Sequence, residues 1–378
     1  MQTAAKNRPR PTGYDVRLLF PVLFLVGIGI VMVYSASSAL ALKKHGSDYY
    51  FLRKQALFSL VGIVALVVCR HIPYRVYRSL PYVLLAMALA LLGAIQFSEL
   101  GLSAGGSARW LRVGLFSFQP SEFARFALII YLAYSLSAKI ERIQDFYIGF
   151  VPHVLVLGIL TALICLQPDF GSAVILWMLT WIMLFVGGVR ILHLLSPLVV
   201  IAPLGYLFMI SAPYRVERLI SFWNPWQYAS TEGYQAIHSL MAFGTGGVWG
   251  AGIGKGYQKL FYLPEPHTDF IFSVIGEELG LIGVLVIIVL YGLILWRGVA
   301  IARNAPDAFG ALVAVGVTSA IAIQVCINMG VALGLLPTKG LTLPFLSYGG
   351  TSLLMSMASV GVLLNIGAAA EGASTGHR

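Results

Sequence analysis

One carboxylate in this chain lies where its type and position could support catalysis. Asp269 is part of the segment PEPHTDFIFSVIGEELG (264–280), directly before a long apolar run. Because Pro266 favours a helix start, the sequence predicts Asp269 in the cap or first turn of a helix. The four-residue spacing then puts Ser273 and Glu277 near the same face. Such a carboxylate can act as a general base or can cap the helix, and the sequence alone leaves both interpretations open.

Other charged residues also lie at the edges of apolar runs, where each is a candidate for function. Glu122 and Arg125 are three residues apart, so their side chains meet on a helix, and we interpret them as a structural ion pair. Asp169 precedes an apolar run in the string QPDFG, which favours a helix cap. The cations near the same predicted edge are Arg53, Lys54, Arg109, Arg112, Lys255 and Lys339.

A glycine-rich run, GTGGVWGAGIGKG (244–256), invites a phosphate-loop interpretation, which the sequence excludes. Trp249 stands where the first glycine of that motif is required, and Gly256 follows Lys255 where serine or threonine is required. The glycines therefore predict tight bends and a close approach of the loop backbone to a helix or ligand.

The composition indicates which kind of fold must hold these residues. Of 378 residues, 58% are hydrophobic and only 11% are charged, against about 25% charged in soluble domains. The apolar runs approach the roughly 20 residues that a membrane-spanning helix needs, and they do not alternate as barrel strands do. The sequence predicts an all-α polytopic membrane protein of about ten helices. The runs lie near 18–41, 55–69, 80–97, 121–137, 149–166, 171–188, 191–211, 269–296, 308–334 and 345–369.

The remaining segments predict the organisation around these helices. We expect a cytoplasmic tail at 1–17, a transmembrane domain at 18–370 and a second cytoplasmic tail at 371–378. The long segment 212–268, between the seventh and eighth helices, is rich in aromatic residues and predicts an ordered extracytoplasmic loop at the membrane interface. Lys and Arg are almost evenly divided between the two sides, and the basic N-terminal tail and the 70–79 loop favour this orientation. An anionic substrate would explain the many outer cations.

The net charge of +10 does not indicate nucleic-acid binding, because the basic residues occur singly and without interleaved aromatic residues. Contact with lipid headgroups or with a phosphate-bearing lipid explains this charge equally well. Cys69, Cys165 and Cys326 each lie in an apolar run, which predicts buried hydrophobic side chains and no disulfide framework.

Four separated strings together resemble the SEDS family of peptidoglycan polymerases, and the resemblance extends from about residue 15 to residue 368. Within the family, the motifs TKGLTLPFLSYGG and GEELG are similar to those of the cell-division branch. The shape-determining branch is the related alternative. The strings are SARWLRVGLFSFQPSEFAR (107–125), LQPDFGSA (166–173), PEPHTDFIFSVIGEELG (264–280) and LPTKGLTLPFLSYGGTSLL (336–354).

The resemblance implies a glycosyltransferase that polymerises lipid II, the undecaprenyl-pyrophosphate-linked disaccharide-peptide, at the outer face of the bacterial cytoplasmic membrane. It also implies a septal location and, as partners, a class B penicillin-binding transpeptidase and other division membrane proteins. A lipid II flippase stays open as the alternative activity, and a scaffold for the transpeptidase is a further one. The polar residues gather at one edge of the apolar runs and not along their middle, which favours the polymerase over a flippase.

The family's catalytic aspartate corresponds to Asp269. Its other functionally sensitive positions correspond to Arg53 or Lys54, Glu122, Arg125, Lys339 and Ser347, and arginine at 125 is often lysine in relatives.

The residues themselves suit this chemistry. Joining a sugar hydroxyl to a carbon that carries a pyrophosphate needs a base, for which Asp269 is the candidate. It also needs positive charge on the leaving pyrophosphate, and a single carboxylate favours direct displacement with inversion. No metal ligands are assigned, and a divalent cation at the pyrophosphate is left open. The candidate substrate-binding cations are Arg53, Lys54, Arg109, Arg112, Lys255 and Lys339, with Ser347 beside them.

Overall fold

The predicted helical architecture is confirmed in the part of the chain that the structure describes. The computed structural model describes residues 14–97, 101–104, 107–113, 116–197, 199, 203, 206–207, 210–211, 213–231, 233–260 and 263–375. Six of the helices are long and apolar enough to cross a bilayer, and shorter apolar helices accompany them. The three cysteines are free. Cys69 and Cys165 are half-buried, whereas Cys326 is exposed, so its predicted burial is wrong.

The helices follow most of the predicted runs, with shifted ends. Much of the seventh run, 191–211, lies outside the described residues. The last helix continues to Thr375, beyond the predicted domain end at 370. The helices are α1 (Val16–His45), α2 (Tyr50–His71), α3 (Tyr74–Tyr77), α4 (Pro81–Phe97), α5 (Pro120–Ala138), α6 (Val151–Leu166), α7 (Phe170–Val186), α8 (Ile191–Leu195), α9 (Pro213–Trp223), α10 (Tyr234–Gly246), α11 (Ile271–Arg303), α12 (Ala308–Ala332) and α13 (Gly350–Thr375).

A small sheet accompanies the helices of the confirmed helical fold. Strands β1 (Gly101–Ala104), β2 (Ser107–Val113) and β3 (Phe116–Phe118) form an antiparallel sheet in the order β1-β2-β3 between α4 and α5. This sheet was not predicted, because strands this short show too few alternations to be recognised. The sheet carries Arg109 toward the end of the bundle where Asp269 lies.

Helix α11 has two parts with different surroundings. The residues from Ile271 to Gly280 are almost all buried by other parts of the chain, whereas Leu281 begins a face with exposed apolar side chains. Gly280 separates the two parts with φ 65°, ψ −165°, a conformation that essentially only glycine adopts. The first part therefore packs inside protein, and the second part faces lipid.

The segment 212–268 is more deeply integrated than the sequence predicted. Its helix α10 packs along the start of α11, and the glycine-rich turn that follows reaches between α11 and α1. There Lys259 Nζ lies 2.6 Å from Glu278 Oε1 and 2.9 Å from Ser35 Oγ of α1. Irregular backbone at such a depth requires internal hydrogen-bond partners.

The carboxylates of the GEEL string supply those partners. Glu277 accepts hydrogen bonds from the backbone N–H groups of Tyr257 and Gln258, at 2.7 and 3.2 Å. Glu278 accepts one from Gly254 N–H at 3.0 Å. The predicted close approach of the glycine-rich run to a helix is thus confirmed, because a side chain at Gly250 would collide with the backbone of Glu278.

Candidate active site

Asp269 lines an open cleft at one end of the bundle. The cleft has a cavity volume of about 240 Å³. Phe270 precedes the first turn of α11, and Asp269 makes no capping hydrogen bond to it. The predicted helix start at Asp269 and its interpretation as a cap are therefore wrong. The residues lining the cleft are Arg109, Pro168, Asp169, Phe170, Gly171, Gln235, Asp269, Phe270, Thr338, Lys339 and Gly340.

The turn that carries Asp269 is fixed from α12. Asn328 Nδ2 donates to the backbone carbonyl of Asp269 at 2.9 Å and to that of Leu341 at 2.6 Å. One amide thereby joins the Asp269 turn to the segment that carries Lys339. Because both bonds are to backbone, the carboxylate itself stays available to the cleft.

Ser347 fixes the same turn from the other side. Its hydroxyl donates to the carbonyl of Thr268 at 2.6 Å and accepts from Leu343 N–H at 2.8 Å. The neighbouring Tyr348 N–H donates to the carbonyl of His267 at 2.9 Å. Ser347 is buried and does not line the cleft. The geometry thus gives Ser347, predicted to bind substrate, a positioning contact with the residue before Asp269.

The surroundings of Asp269 raise the pKa of its carboxyl to about 7. Burial is the largest cause, and the nearby Glu265 raises this pKa further, whereas Arg109 and a hydrogen bond from Thr268 lower it. His267 differs, because burial and then the charge of Lys44 lower its pKa to about 4. His267 is therefore neutral near pH 7, and Asp269 is the group that can exchange a proton there.

Two of the predicted cations lie in the cleft with Asp269. Arg109, from β2, donates from Nη2 to the carbonyl of Pro168 at 2.7 Å and lies 3.9 Å from Asp169. Lys339 comes from the segment between α12 and α13. The predicted cap at Asp169 is confirmed, since its carboxylate accepts from Ser172 N–H at 3.3 Å.

Among the predicted cations whose side chains the structure describes, Arg53, Lys54 and Lys255 do not line this cleft. Arg53 is exposed in the first turn of α2, and Lys54 donates to the hydroxyl of Tyr50 at 2.6 Å. Lys255 is exposed on the glycine-rich turn. Arg112 lies in β2 opposite Ser117, and its side chain is outside the described part.

Glu122 and Arg125 form the predicted ion pair within α5. Arg125 Nη2 donates to Glu122 Oε2, and the two residues are only 7% and 8% exposed. The pair lies beside a small cavity of about 20 Å³ that is separate from the Asp269 cleft. Polar side chains also line this cavity, namely Gln324, Ser356 and Ser359. The pairing is confirmed, and its structural role stays a prediction.

Sequence reasoning missed three residues of the site. Gln235 of α10 lines the cleft, Asn328 holds the Asp269 turn, and Gly340 lies against the carboxylate. A Cβ added at Gly340 would lie 2.9 Å from Asp269 Oδ2. The glycine next to Lys339 was visible in the TKGL string. Nothing in the sequence indicated that Gln235 or Asn328 would reach Asp269.

We expect Gly340→Ala to lower activity about tenfold without loss of folding. The new methyl group moves the Asp269 carboxylate, and a displacement near one ångström can cost up to about a hundredfold. Initial rates and thermal unfolding of the purified variant check this expectation. Gly244→Ala is the matched control, because nothing lies within 4 Å of a Cβ there. Equal activity of the two variants would contradict the close approach of Gly340 to the carboxylate.

Within the described residues, no group of three or more His, Cys, Asp or Glu side chains is arranged to hold a metal ion.

Comparison with known proteins agrees with this architecture. The model of the protein family described as "Cell cycle protein", which includes FtsW, RodA and SpoVE, matches residues 16–371 of this chain. The chain belongs to this FtsW/RodA/SpoVE family. The SEDS resemblance is therefore confirmed.

Curated members of the FtsW/RodA/SpoVE family resemble this chain along nearly its whole length. "Probable peptidoglycan glycosyltransferase FtsW" of Geobacter metallireducens is 44% identical over 359 residues, 95% of this chain and 96% of that protein. "Stage V sporulation protein E" of Bacillus subtilis is 43% identical over 358 residues, 94% and 98% of the two chains.

Solved structures also resemble the fold. A chain from "Structural coordination of polymerization and crosslinking by a peptidoglycan synthase complex" has a TM-score of 0.79 at 30% identity, over 94% of this chain and 98% of that one. The rod shape determining protein RodA of Thermus thermophilus has a TM-score of 0.68 at 29% identity, over 95% and 98% of the two chains.

Proposed function

We propose that this family member is a peptidoglycan glycosyltransferase that polymerises lipid II into glycan strands for septal wall synthesis. The observation that carries the proposal is the cleft in which one carboxylate with a pKa near neutrality lies with two cations. Relatives at 43–47% identity support it, since several carry the name peptidoglycan glycosyltransferase FtsW.

The proposed reaction is a direct displacement. Asp269 takes the proton of the acceptor hydroxyl as that oxygen bonds to the anomeric carbon of the donor sugar. The bond from this carbon to the pyrophosphate breaks, and the electron pair leaves with the pyrophosphate. Arg109 and Lys339 lie in the same cleft and stabilise the developing negative charge. A single carboxylate acting as base predicts inversion at the anomeric carbon.

The proposed location follows from the same chemistry. The Asp269 end of the bundle would face the outside of the bacterial cytoplasmic membrane at the division septum, where lipid II is consumed. A class B penicillin-binding transpeptidase is the proposed partner, supported by the similarity to a chain of a peptidoglycan synthase complex. Other division membrane proteins are further proposed partners, and no binding of nucleic acid is proposed.

The test is purified protein with purified lipid II in detergent, with the products separated on a gel. Glycan strands are the expected result. Detergent removes the two sides of a membrane, so a flippase cannot produce this signal. Absence of strands from a folded protein, together with lipid II transport in vesicles, would favour the flippase.

We expect polymerisation to fall as pH is lowered through about 7, the pKa of Asp269. A base must be deprotonated, so the rate should drop about tenfold per pH unit below that pKa and level off above it. Initial rates between pH 5 and 9 measure the profile.

Glu265→Gln should move this profile to lower pH, because the charge of Glu265 raises the pKa of Asp269. Glu141→Gln, an exposed site in another loop, should leave it unchanged. A profile that both variants leave in place would contradict the assignment of the titrating group.

A further inference from the structure

We propose that Gln235 binds the acetamido group of the sugar whose hydroxyl Asp269 deprotonates. This inference rests on the proposed function, because the sugars of peptidoglycan precursors are N-acetylated. Gln235 would therefore be a positioning residue that orients the acceptor and does not take part in proton transfer.

Gln235 is placed where it can contact a ligand next to Asp269. It lies in the first turn of α10 and lines the same cleft as Asp269, Arg109 and Lys339. Within the part of the chain that the structure describes, its side-chain amide makes no hydrogen bond. The amide is half-buried, so part of its hydrogen-bonding capacity is available to a ligand.

The neighbours of Gln235 fix the orientation of α10. Ser239, one turn later, lies 2.6 Å from Ser273 Oγ of α11 and donates to the carbonyl of Ala332 at 2.5 Å. His238 Nδ1 lies 2.8 Å from Gln258 Oε1. Because Gln235 and Ser239 are four residues apart, they lie on the same face of α10, and the Ser239 contacts fix the helix next to Gln235. A polar group on such a rigid element is suited to precise recognition.

The chemistry of the cleft leaves a specific task for a neutral amide. Asp269 can accept the proton of a hydroxyl group, and Arg109 and Lys339 can bind an anionic group. A glutamine side chain offers two N–H donors and one carbonyl acceptor. An acetamido group presents one carbonyl and one N–H on opposite sides of its planar amide, so the Gln235 amide can donate an N–H to that carbonyl. The cavity volume of about 240 Å³ leaves room for an acetamido group in the cleft.

Kinetics with lipid II in detergent provide the first test. We expect Gln235→Leu to raise KM about tenfold, as expected for one or two neutral hydrogen bonds, with kcat changed less than about twofold. Gln235→Glu should also raise KM, because it keeps the shape but loses the N–H donors. Gln227→Leu, an exposed site outside the cleft, is the matched control. An unchanged KM, or a fall in kcat alone, in a folded Gln235→Leu protein would overturn the proposal.

A binding measurement separates this inference from the proposed function. The probes are N,N′-diacetylchitobiose and the non-acetylated chitobiose, and the readout is saturation-transfer NMR on the whole protein in detergent. We expect acetyl-methyl signals with wild type and Asp269→Asn, and a signal about tenfold weaker with Gln235→Leu. Acetylated-sugar binding without polymerisation of lipid II would reject the proposed function and keep only the recognition of an acetamido group by Gln235. Equal signals from the sugar-ring protons of the two disaccharides, or no acetyl-methyl signal from the acetylated one, would overturn the inference.

Discussion

Asp269→Asn should lower polymerisation about a hundredfold or more while the protein stays folded. The substitution removes the base and keeps the size of the side chain, and a general base usually contributes at least about a hundredfold. Stability should not fall, because Asp269 makes no capping contact and burial already disfavours its charged form. Initial rates with lipid II and the thermal unfolding midpoint of the same sample measure both effects.

Two further variants sharpen this test. Asp269→Glu should recover little activity, since about one ångström of misplacement can itself cost roughly a hundredfold. Asp145→Asn is the matched control, because it makes the same substitution at a carboxylate outside the cleft. Asp145 accepts a hydrogen bond from the backbone N–H of Tyr147, and its substitution should leave polymerisation unchanged. Lipid II binding should survive at Asp269→Asn, since Arg109 and Lys339 are unchanged. Substantial polymerisation by folded Asp269→Asn would remove the base from the mechanism and favour the flippase.

Breaking the Glu122–Arg125 pair should destabilise the protein strongly. Removing one member of a buried pair leaves an unpaired charge, which costs roughly 3–5 kcal/mol, whereas removing both can be nearly neutral. Glu122→Gln or Arg125→Met alone should therefore lower the folded yield and unfolding midpoint. The double variant should recover part of the loss.

A surface pair provides the comparison for this experiment. Arg75 lies 3.8 Å from Asp307, and its side chain is 72% exposed, so Arg75→Met should cost at most about 1 kcal/mol. A Glu122/Arg125 double variant with full stability but no activity would show that this pair contributes to catalysis and not only to structure.

Much of the architecture could be predicted from the sequence because lipid imposes a simple rule. Long apolar runs must form helices, and α1, α2, α11, α12 and α13 follow such runs. The Glu122–Arg125 contact was predictable because it depends only on helical spacing. The cap at Asp169 was predictable for a similar local reason.

The site was less predictable because it is assembled by contacts between distant segments. Asn328 and Asp269 are far apart in sequence. No local pattern indicates that the side-chain amide of Asn328 donates a hydrogen bond to the backbone carbonyl of Asp269. Glu278 is likewise bound by two side chains from other segments, Lys259 and Ser35. Similarly, the sequence grouped all cations near one edge, whereas the cleft contains Arg109 and Lys339 and not Arg53, Lys54 or Lys255.

The division of α11 at Gly280 has a consequence for the surrounding bilayer. The apolar face between Gly280 and Arg297 measures only about 24 Å at 1.5 Å per residue, whereas a typical hydrocarbon core is about 30 Å thick. Such a hydrophobic mismatch is met by local thinning of the membrane at modest cost. The stretch from Ile271 to Gly280 is buried inside protein, so thinning lowers the lipid headgroups around the protein relative to the cleft. Membranes of different thickness should therefore change how far a lipid-linked sugar must extend to reach Asp269.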